Sequence, residues 1–73
     1  MAIVDIRCDI TGTIWKILKQ VGDSVAEDEP ILILESMKME IPLVAPEQGV
    51  VLEIEGKEGD IASEGSVLVR IKV

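Results

Sequence analysis

The chain contains no histidine, phenylalanine or tyrosine, and only one tryptophan and one cysteine among its 73 residues. With one cysteine no internal disulfide can form, which is typical of proteins in a reducing compartment. Cys8 has neither a second cysteine nor a histidine to support metal binding or redox chemistry, so we interpret it as a small buried hydrophobe. Since aromatic residues are almost absent, we predict a core of isoleucine, valine and leucine.

Basic residues are also scarce: seven Lys and Arg stand against fourteen Asp and Glu, for a net charge of −7. Nucleic-acid binding needs clustered cations, so this composition excludes it and disfavours an anionic membrane surface. No apolar run approaches the ~20 residues of a membrane span, and residues 1–9 lack the apolar segment of a signal peptide. We therefore expect a cytoplasmic protein, or part of one.

The chain is too short for more than one domain, and we assign residues 1–73 to it. A domain of this size buries only about 60% of the surface that its unfolded chain exposes. We therefore expect no deep active-site cleft, and no enzyme activity from the domain by itself.

No segment has sustained helical periodicity, and short apolar runs between turn residues predict an all-β fold. Pro42 falls inside one of these runs, which indicates an edge strand or a bulge. The predicted strands cover residues 4–10, 13–18, 31–34, 41–44, 50–54 and 67–71, with two short strands at Val25 and Ile61.

An internal repeat relates the two halves by a shift of 37 residues, which places Gly12 on Gly49 and Gly22-Asp23 on Gly59-Asp60. One half cannot bury its apolar face alone, whereas two related halves can cover each other. We predict two four-strand copies that face one another in a flattened eight-strand sandwich. Their boundary falls at residues 35–40, which form the tip of a hairpin.

This tip has neither glycine nor proline. If its strands pair tightly, Met37 and Lys38 occupy the two central turn positions, where φ must be positive and Asn or Gly is usual. Such a conflict with local preference is expected at functional sites. Methionines exposed beside a lysine are typical of surfaces that partners bind.

The segment Glu-Ser-Met-Lys-Met-Glu at residues 35–40 resembles the attachment motif of biotin carboxyl carrier domains, in the biotin/lipoyl attachment family. The resemblance extends from about residue 6 to residue 71. Besides the motif, it includes Gly-Thr-Ile-Trp-Lys at 12–16, Gly-Asp-Ser-Val at 22–25, Ala45-Pro46, Gly49 and Gly59-Asp60. Residues 12–22 are too few to hold the protruding thumb of some bacterial carriers, which favours the compact type.

The resemblance implies a barrel-sandwich hybrid that carries covalent biotin on Lys38. It further implies three partners, namely a biotin protein ligase, a biotin carboxylase and a carboxyltransferase, and a domain that is monomeric in isolation. The carboxylates flanking Lys38 favour its charged form, so we expect the ligase to deprotonate and orient the amine. The residues expected to be recognised around Lys38 are Glu35, Ser36, Met37, Met39 and Glu40.

Two alternatives remain. The first is a lipoyl carrier, which has a similar fold and would carry lipoate on the same lysine. Lipoyl motifs usually place Asp before the lysine, where this chain has Met37. A domain that accepts both biotin and lipoate is also open. The other alternative is an unmodified sandwich that serves as a structural or interaction module.

A few residues depart from the family pattern or invite another interpretation. Cys8-Asp9 replaces Ala-Pro in the first half, and Asp28 stands where Gly is usual; both changes concern turn geometry. We expect Trp15 to pack over the edge of the sandwich. Residues 27–29 form an acidic loop that could dock on a basic carboxylase surface, and we assign Glu35 and Glu40 to recognition rather than to acid–base catalysis.

Overall fold

The computed structural model describes residues 2–73, which form eight β-strands and no helix. Because the described residues form strands and turns, none of them belongs to a helix able to span a membrane. The predicted all-β fold is confirmed. The strands are β1 (Ile3–Arg7), β2 (Gly12–Ile17), β3 (Ser24–Val25), β4 (Pro30–Ser36), β5 (Met39–Val44), β6 (Gly49–Ile54), β7 (Ile61–Ala62) and β8 (Val67–Lys72).

The strands form two antiparallel four-stranded sheets. We name the sheet with the order β1-β8-β6-β3 the first sheet, and the sheet with the order β5-β4-β2-β7 the second sheet. The repeat maps β1, β3, β6 and β8 onto β5, β7, β2 and β4. This mapping converts one strand order into the other, so the two sheets are quasi-two-fold copies.

The expectation that each half forms its own layer is wrong. Each sheet takes two strands from each half: β1 pairs with β8, and β3 pairs with β6. The chain changes sheets between β1 and β2, so the predicted first strand ends at Arg7 rather than continuing to Ile10. Interleaving lets each half supply hydrogen-bonding partners to the other, which two separate layers could not do.

The core is aliphatic, as predicted, and lies between the two sheets. Cys8 is 1% exposed and belongs to it, which confirms its interpretation as a small buried residue. The fully buried side chains of largest volume are Ile14, Ile31, Leu32, Leu34, Ile71, Val51, Val69 and Cys8.

The departures from the family pattern preserve the turns, as expected. Asp28 adopts φ 67° and its repeat partner Gly65 adopts φ 86°. The Asp28 amide donates to the Ala45 carbonyl and the Gly65 amide donates to the Cys8 carbonyl, both at 2.8 Å. Cys8 therefore occupies the place of Ala45 in the other half, and Asp28 the place of Gly65.

Pro42 lies on β5, an edge strand whose one partner is β4, which confirms the inference from its missing N–H. Trp15 was expected to pack over the edge of the sandwich. It lies on β2 beyond the two-residue pairing of that strand with β7. It follows the buried Ile14 and faces outward, so 43% of Trp15 is exposed, and the register shift beside it brings Lys16 to the same face.

Candidate functional site: the Lys38 hairpin

The hairpin between β4 and β5 turns on two residues, Met37 and Lys38. Strand pairing continues up to the turn, with Ser36 opposite Met39 and Glu35 opposite Glu40. The φ angles of Met37 and Lys38 are 52° and 66°. Positive φ at both central residues is the requirement of the tight hairpin turn, so the predicted conflict between residue type and backbone is confirmed.

This turn stores strain. A left-handed conformation costs roughly 1–2 kcal/mol for a residue with a Cβ, and glycine avoids that cost. At four other described positions where φ is positive the chain has glycine, and at the fifth it has Asp28, whose short polar side chain tolerates this region better. Met37 and Lys38 thus occupy positions for which stability would select other residues.

The side chains of the tip project into solvent. Met37 is 92% exposed and Met39 is 63% exposed, so neither contributes to the core. Lys38 is exposed as well, and within the described residues its amine is not in salt-bridge contact with a carboxylate. The tip therefore presents one accessible primary amine between two accessible thioethers.

The base of the hairpin is held to β2. The Ser36 hydroxyl donates to the carbonyl of Thr11 at 3.1 Å. At Gly12, the next residue, an added Cβ would lie 2.7 Å from the Glu35 carbonyl oxygen, so only glycine permits this close approach of the two strands. Ser36 is half-buried and has a structural role in addition to the recognition role predicted for it.

Glu35 and Glu40 form a directly opposed cross-strand pair of exposed carboxylates. Like charges in this arrangement disfavour the strand pairing. The pair faces outward rather than into a cleft, and it makes the region around Lys38 negatively charged. The hairpin thus combines two features unfavourable to stability within six residues.

A family model described as "Biotin-requiring enzyme" (Biotin_lipoyl) matches residues 4–71. The chain belongs to the biotin/lipoyl attachment family. In this attachment domain Lys38 occupies the tip of the hairpin, with the family's fold around it.

Named relatives of the attachment domain include both carriers and attachment proteins. It is 42% identical over 66 residues to the "Biotin/lipoyl attachment protein" of Bacillus subtilis, covering 90% of each chain. It is 45% identical over 60 residues to the "Biotin carboxyl carrier protein" of Streptococcus mutans, covering 82% of this chain but 46% of that one. The second match therefore spans about half of its relative.

Solved structures with the same fold include part of a carboxylase and a lipoyl domain. The attachment domain superimposes on part of the urea carboxylase of Kluyveromyces lactis with a TM-score of 0.93 and 30% identity, covering 99% of this chain and 6% of that one. It superimposes on the lipoyl domain of the 2-oxoglutarate dehydrogenase complex of Azotobacter vinelandii with a TM-score of 0.81 and 29% identity, covering 96% of both. These matches confirm the predicted flattened β-sandwich.

The Lys38 amine can carry a group through an amide bond, because it is exposed. The pairing of β4 with β5 fixes the turn on which it lies. Such attachment needs no metal, and the described residues contain no cluster of three or more His, Cys, Asp or Glu side chains that could hold one. A surface depression lined by Gln48, Gly49 and Val73 lies at the other end of the attachment domain, away from the hairpin.

One carboxylate of the acidic loop at 27–29, that of Glu29, is already paired within the domain. Glu29 accepts a hydrogen bond from the Ala26 amide at 2.8 Å and pairs with Lys19 at 2.9 Å. The Ala26 hydrogen bond, with help from Lys19, lowers the pKa of Glu29 below its usual range. The carboxylates of Glu27 and Asp28 are left exposed in this turn.

The support that Thr11 and Gly12 give to the hairpin was not predicted from the sequence. Gly49, the repeat partner of Gly12, makes the same close approach, with an added Cβ 2.5 Å from the Lys72 carbonyl oxygen. The signal was present in the repeat, because two glycines at equivalent positions indicate a shared backbone constraint.

Proposed function

We propose that the chain is a biotin carrier domain in which Lys38 receives biotin through an amide bond. The observation that carries this proposal is the Met-Lys-Met sequence on a strained, fully exposed two-residue turn. A turn selected for stability would place Asn or Gly there. A turn selected for access by a modifying enzyme keeps the lysine and its flanking side chains at the outermost point.

In the attachment step, the Lys38 amine attacks the carbonyl carbon of biotinyl adenylate, the mixed anhydride that a biotin protein ligase forms from biotin and ATP with release of pyrophosphate. The C–N bond forms, the bond between the carbonyl carbon and the phosphate oxygen breaks, and AMP leaves. The amine must first lose a proton, because only the neutral amine is a nucleophile. The ligase therefore supplies the base, and this chain supplies the position of the amine.

The loaded domain then acts as a tether rather than as an enzyme. The lysine stem and the biotin chain contain about ten bonds, for a reach of roughly 12 Å from standard bond lengths. A carboxyl group accepted at a biotin carboxylase would be delivered at a carboxyltransferase, and tethering raises the local concentration at each docked site. The net charge of −7 favours encounters with basic clefts on these partners.

The lipoyl carrier is the second candidate, and its support is the close structural match to a lipoyl domain. The residue before the lysine favours biotin, since this chain has Met37 where lipoyl motifs usually have Asp. The Bacillus subtilis relative is named a biotin/lipoyl attachment protein. A domain that accepts both biotin and lipoate is therefore included in this second candidate.

The decisive experiment is the intact mass of the chain after expression with a biotin protein ligase and biotin, and separately with a lipoate ligase and lipoate. Addition of one biotinyl group, located to Lys38 by peptide mapping, is the expected result. Lipoylation alone would favour the second candidate. No addition under either condition would leave the unmodified interaction module and contradict the carrier role.

A further inference from the structure

Because quasi-two-fold symmetry relates the two sheets, the residues on their outer faces can be compared position by position. At the centre of the first sheet lies Arg70, whose register partners are Asp5 on β1 and Glu53 on β6. Arg70 Nε lies 3.1 Å from Asp5 Oδ1, and Nη1 lies 3.1 Å from Glu53 Oε1. Glu53 and Asp5 raise the pKa of Arg70. This face is covered by a ladder of ion pairs.

The second sheet, which carries the Lys38 hairpin, has a different surface on the same backbone. The equivalent of Arg70 is Ile33, whose register partners are Lys16 on β2 and Pro42 on β5. Trp15 is exposed beside Ile33, and the Lys16 amine lies 5.6 Å from the centroid of its ring. The ion ladder is thus replaced by an apolar patch with one cation beside it, and the Glu35–Glu40 pair lies between this patch and the turn.

The reach of the biotin arm matches this surface. Trp15 lies in the β2 bulge between the positions opposite Leu34 and Ile33, four to five residues along β4 from Lys38. At about 3.4 Å per residue this is roughly 14–17 Å. The arm spans roughly 12 Å before the ring system is counted, so the ring comes within reach of the indole when the arm is extended.

The chemistry also matches. The biotin ring system has an apolar sulfur-containing ring fused to a ureido group whose carbonyl accepts hydrogen bonds. An indole face stacks on apolar rings, and an ammonium group donates hydrogen bonds. Trp15 and Lys16 supply both beside each other, and their equivalents on the first sheet, Leu52 and Glu53, supply neither.

We propose that Trp15, Lys16 and Ile33 form a resting site on which the biotin ring carried by Lys38 docks between deliveries. The site rests on the proposed function, since it needs the biotinyl group on Lys38. Docking shields the ring from solvent and keeps it in equilibrium with an extended arm that partners capture. Because the ring is tethered, even weak contacts populate the docked state.

The test uses the biotinylated domain, with attachment at Lys38 verified by intact mass and peptide mapping. Trp15 is the sole tryptophan, so one indole N–H resonance in a ¹⁵N-labelled sample reports on the site. We expect this resonance to shift between the unmodified and the biotinylated domain. An unchanged resonance in a fully biotinylated sample would overturn the resting site and leave the carrier role intact. Absence of biotin at Lys38 would instead contradict the carrier role itself.

Capture by streptavidin provides a second readout that does not depend on the indole. If the ring is docked half of the time, removing the site should accelerate capture about two-fold, in proportion to the freed fraction. We expect Trp15→Ser to show this increase. Leu52→Ser is the matched control, because Leu52 is 37% exposed at the equivalent bulge on the first sheet. Capture of Trp15→Ser at the wild-type rate, or equal acceleration of both variants, would overturn the proposal.

Discussion

The Ser36 hydroxyl donates a hydrogen bond of 3.1 Å to the carbonyl of Thr11, which ties the last residue of β4 to the residue that precedes β2. The bond holds the hairpin against the sandwich immediately before the strained turn begins. Its position explains how Met37 and Lys38 keep positive φ without loosening the strands that carry them.

Replacing Ser36 by alanine should remove this bond and lower the free energy of unfolding by about 0.5–1.5 kcal/mol, the usual contribution of one hydrogen bond. Chemical denaturation measures the change. Amide hydrogen exchange should accelerate in the hairpin more than in β6, which makes no contact with Ser36. Uniform acceleration along the chain would show that the bond acts on global stability and not on the hairpin.

Replacing Lys38 by arginine should abolish biotin attachment and leave the stability unchanged. Arginine keeps the charge and the long stem, but its guanidinium remains protonated and is not a usable nucleophile. Intact mass and streptavidin blotting after co-expression with ligase measure attachment, and thermal denaturation measures stability. Streptavidin binding by this variant would place the modification at another residue.

Met37 and Met39 should respond to glycine with opposite signs. Glycine at Met37 relieves the left-handed backbone and should raise the free energy of unfolding by up to about 1 kcal/mol. Glycine at Met39, which lies in β5 with ordinary φ, should lower it by about 0.5–1 kcal/mol. Paired denaturation curves test this. A loss of stability in both variants would mean that the turn is not strained.

Replacing Met37 by aspartate should change stability little, because the side chain is 92% exposed, and should slow biotin transfer if the ligase recognises this side chain as we propose. The measurement is the initial rate of ligation at fixed ligase and biotin. The lysine and its backbone position are retained, so a slower rate reports on recognition. Equal rates for the two proteins would show that the ligase does not recognise this methionine.

The carboxylate of Glu29 should make the stability depend on pH. Its pKa is lowered by the hydrogen bond from the Ala26 amide and by Lys19, so the stabilisation is present above the ordinary carboxyl pKa. It is lost as the pH falls through the lowered value. Glu29→Gln should therefore have a lower melting temperature than wild-type at neutral pH, and the difference should shrink below about pH 4, near the ordinary glutamate pKa. A difference that is constant across this range would exclude the charge as its cause.

Much of the architecture could be predicted from local pattern. Alternating apolar residues located the strands to within a few residues, and the repeat revealed two related halves with the hairpin at their junction. Pro42 indicated the edge strand, because proline has no N–H to donate to a second neighbouring strand. The turn positions of Met37 and Lys38 followed from the spacing of the flanking strands, whereas the role of Lys38 as an attachment site was implied by the resemblance to a known family.

The pairing partners could not be predicted in this way. Periodicity reports which side chains of a strand face the core, but it does not report which distant strand supplies the hydrogen bonds. The pairing of β1 with β8 joins residues from the two ends of the described chain. For that reason the halves were expected as separate layers, whereas they interleave.

The sequence by itself determined an aliphatic all-β domain with a two-fold repeat and an accessible lysine between two methionines. These properties depend on residue type and spacing along the chain. The tertiary structure alone decided that Ser36 is bonded to Thr11, and that the face beside the Lys38 hairpin is apolar while its quasi-two-fold copy is covered by Arg70 and its carboxylates. These features arise where separate strands meet, so they depend on register and packing between residues distant in sequence.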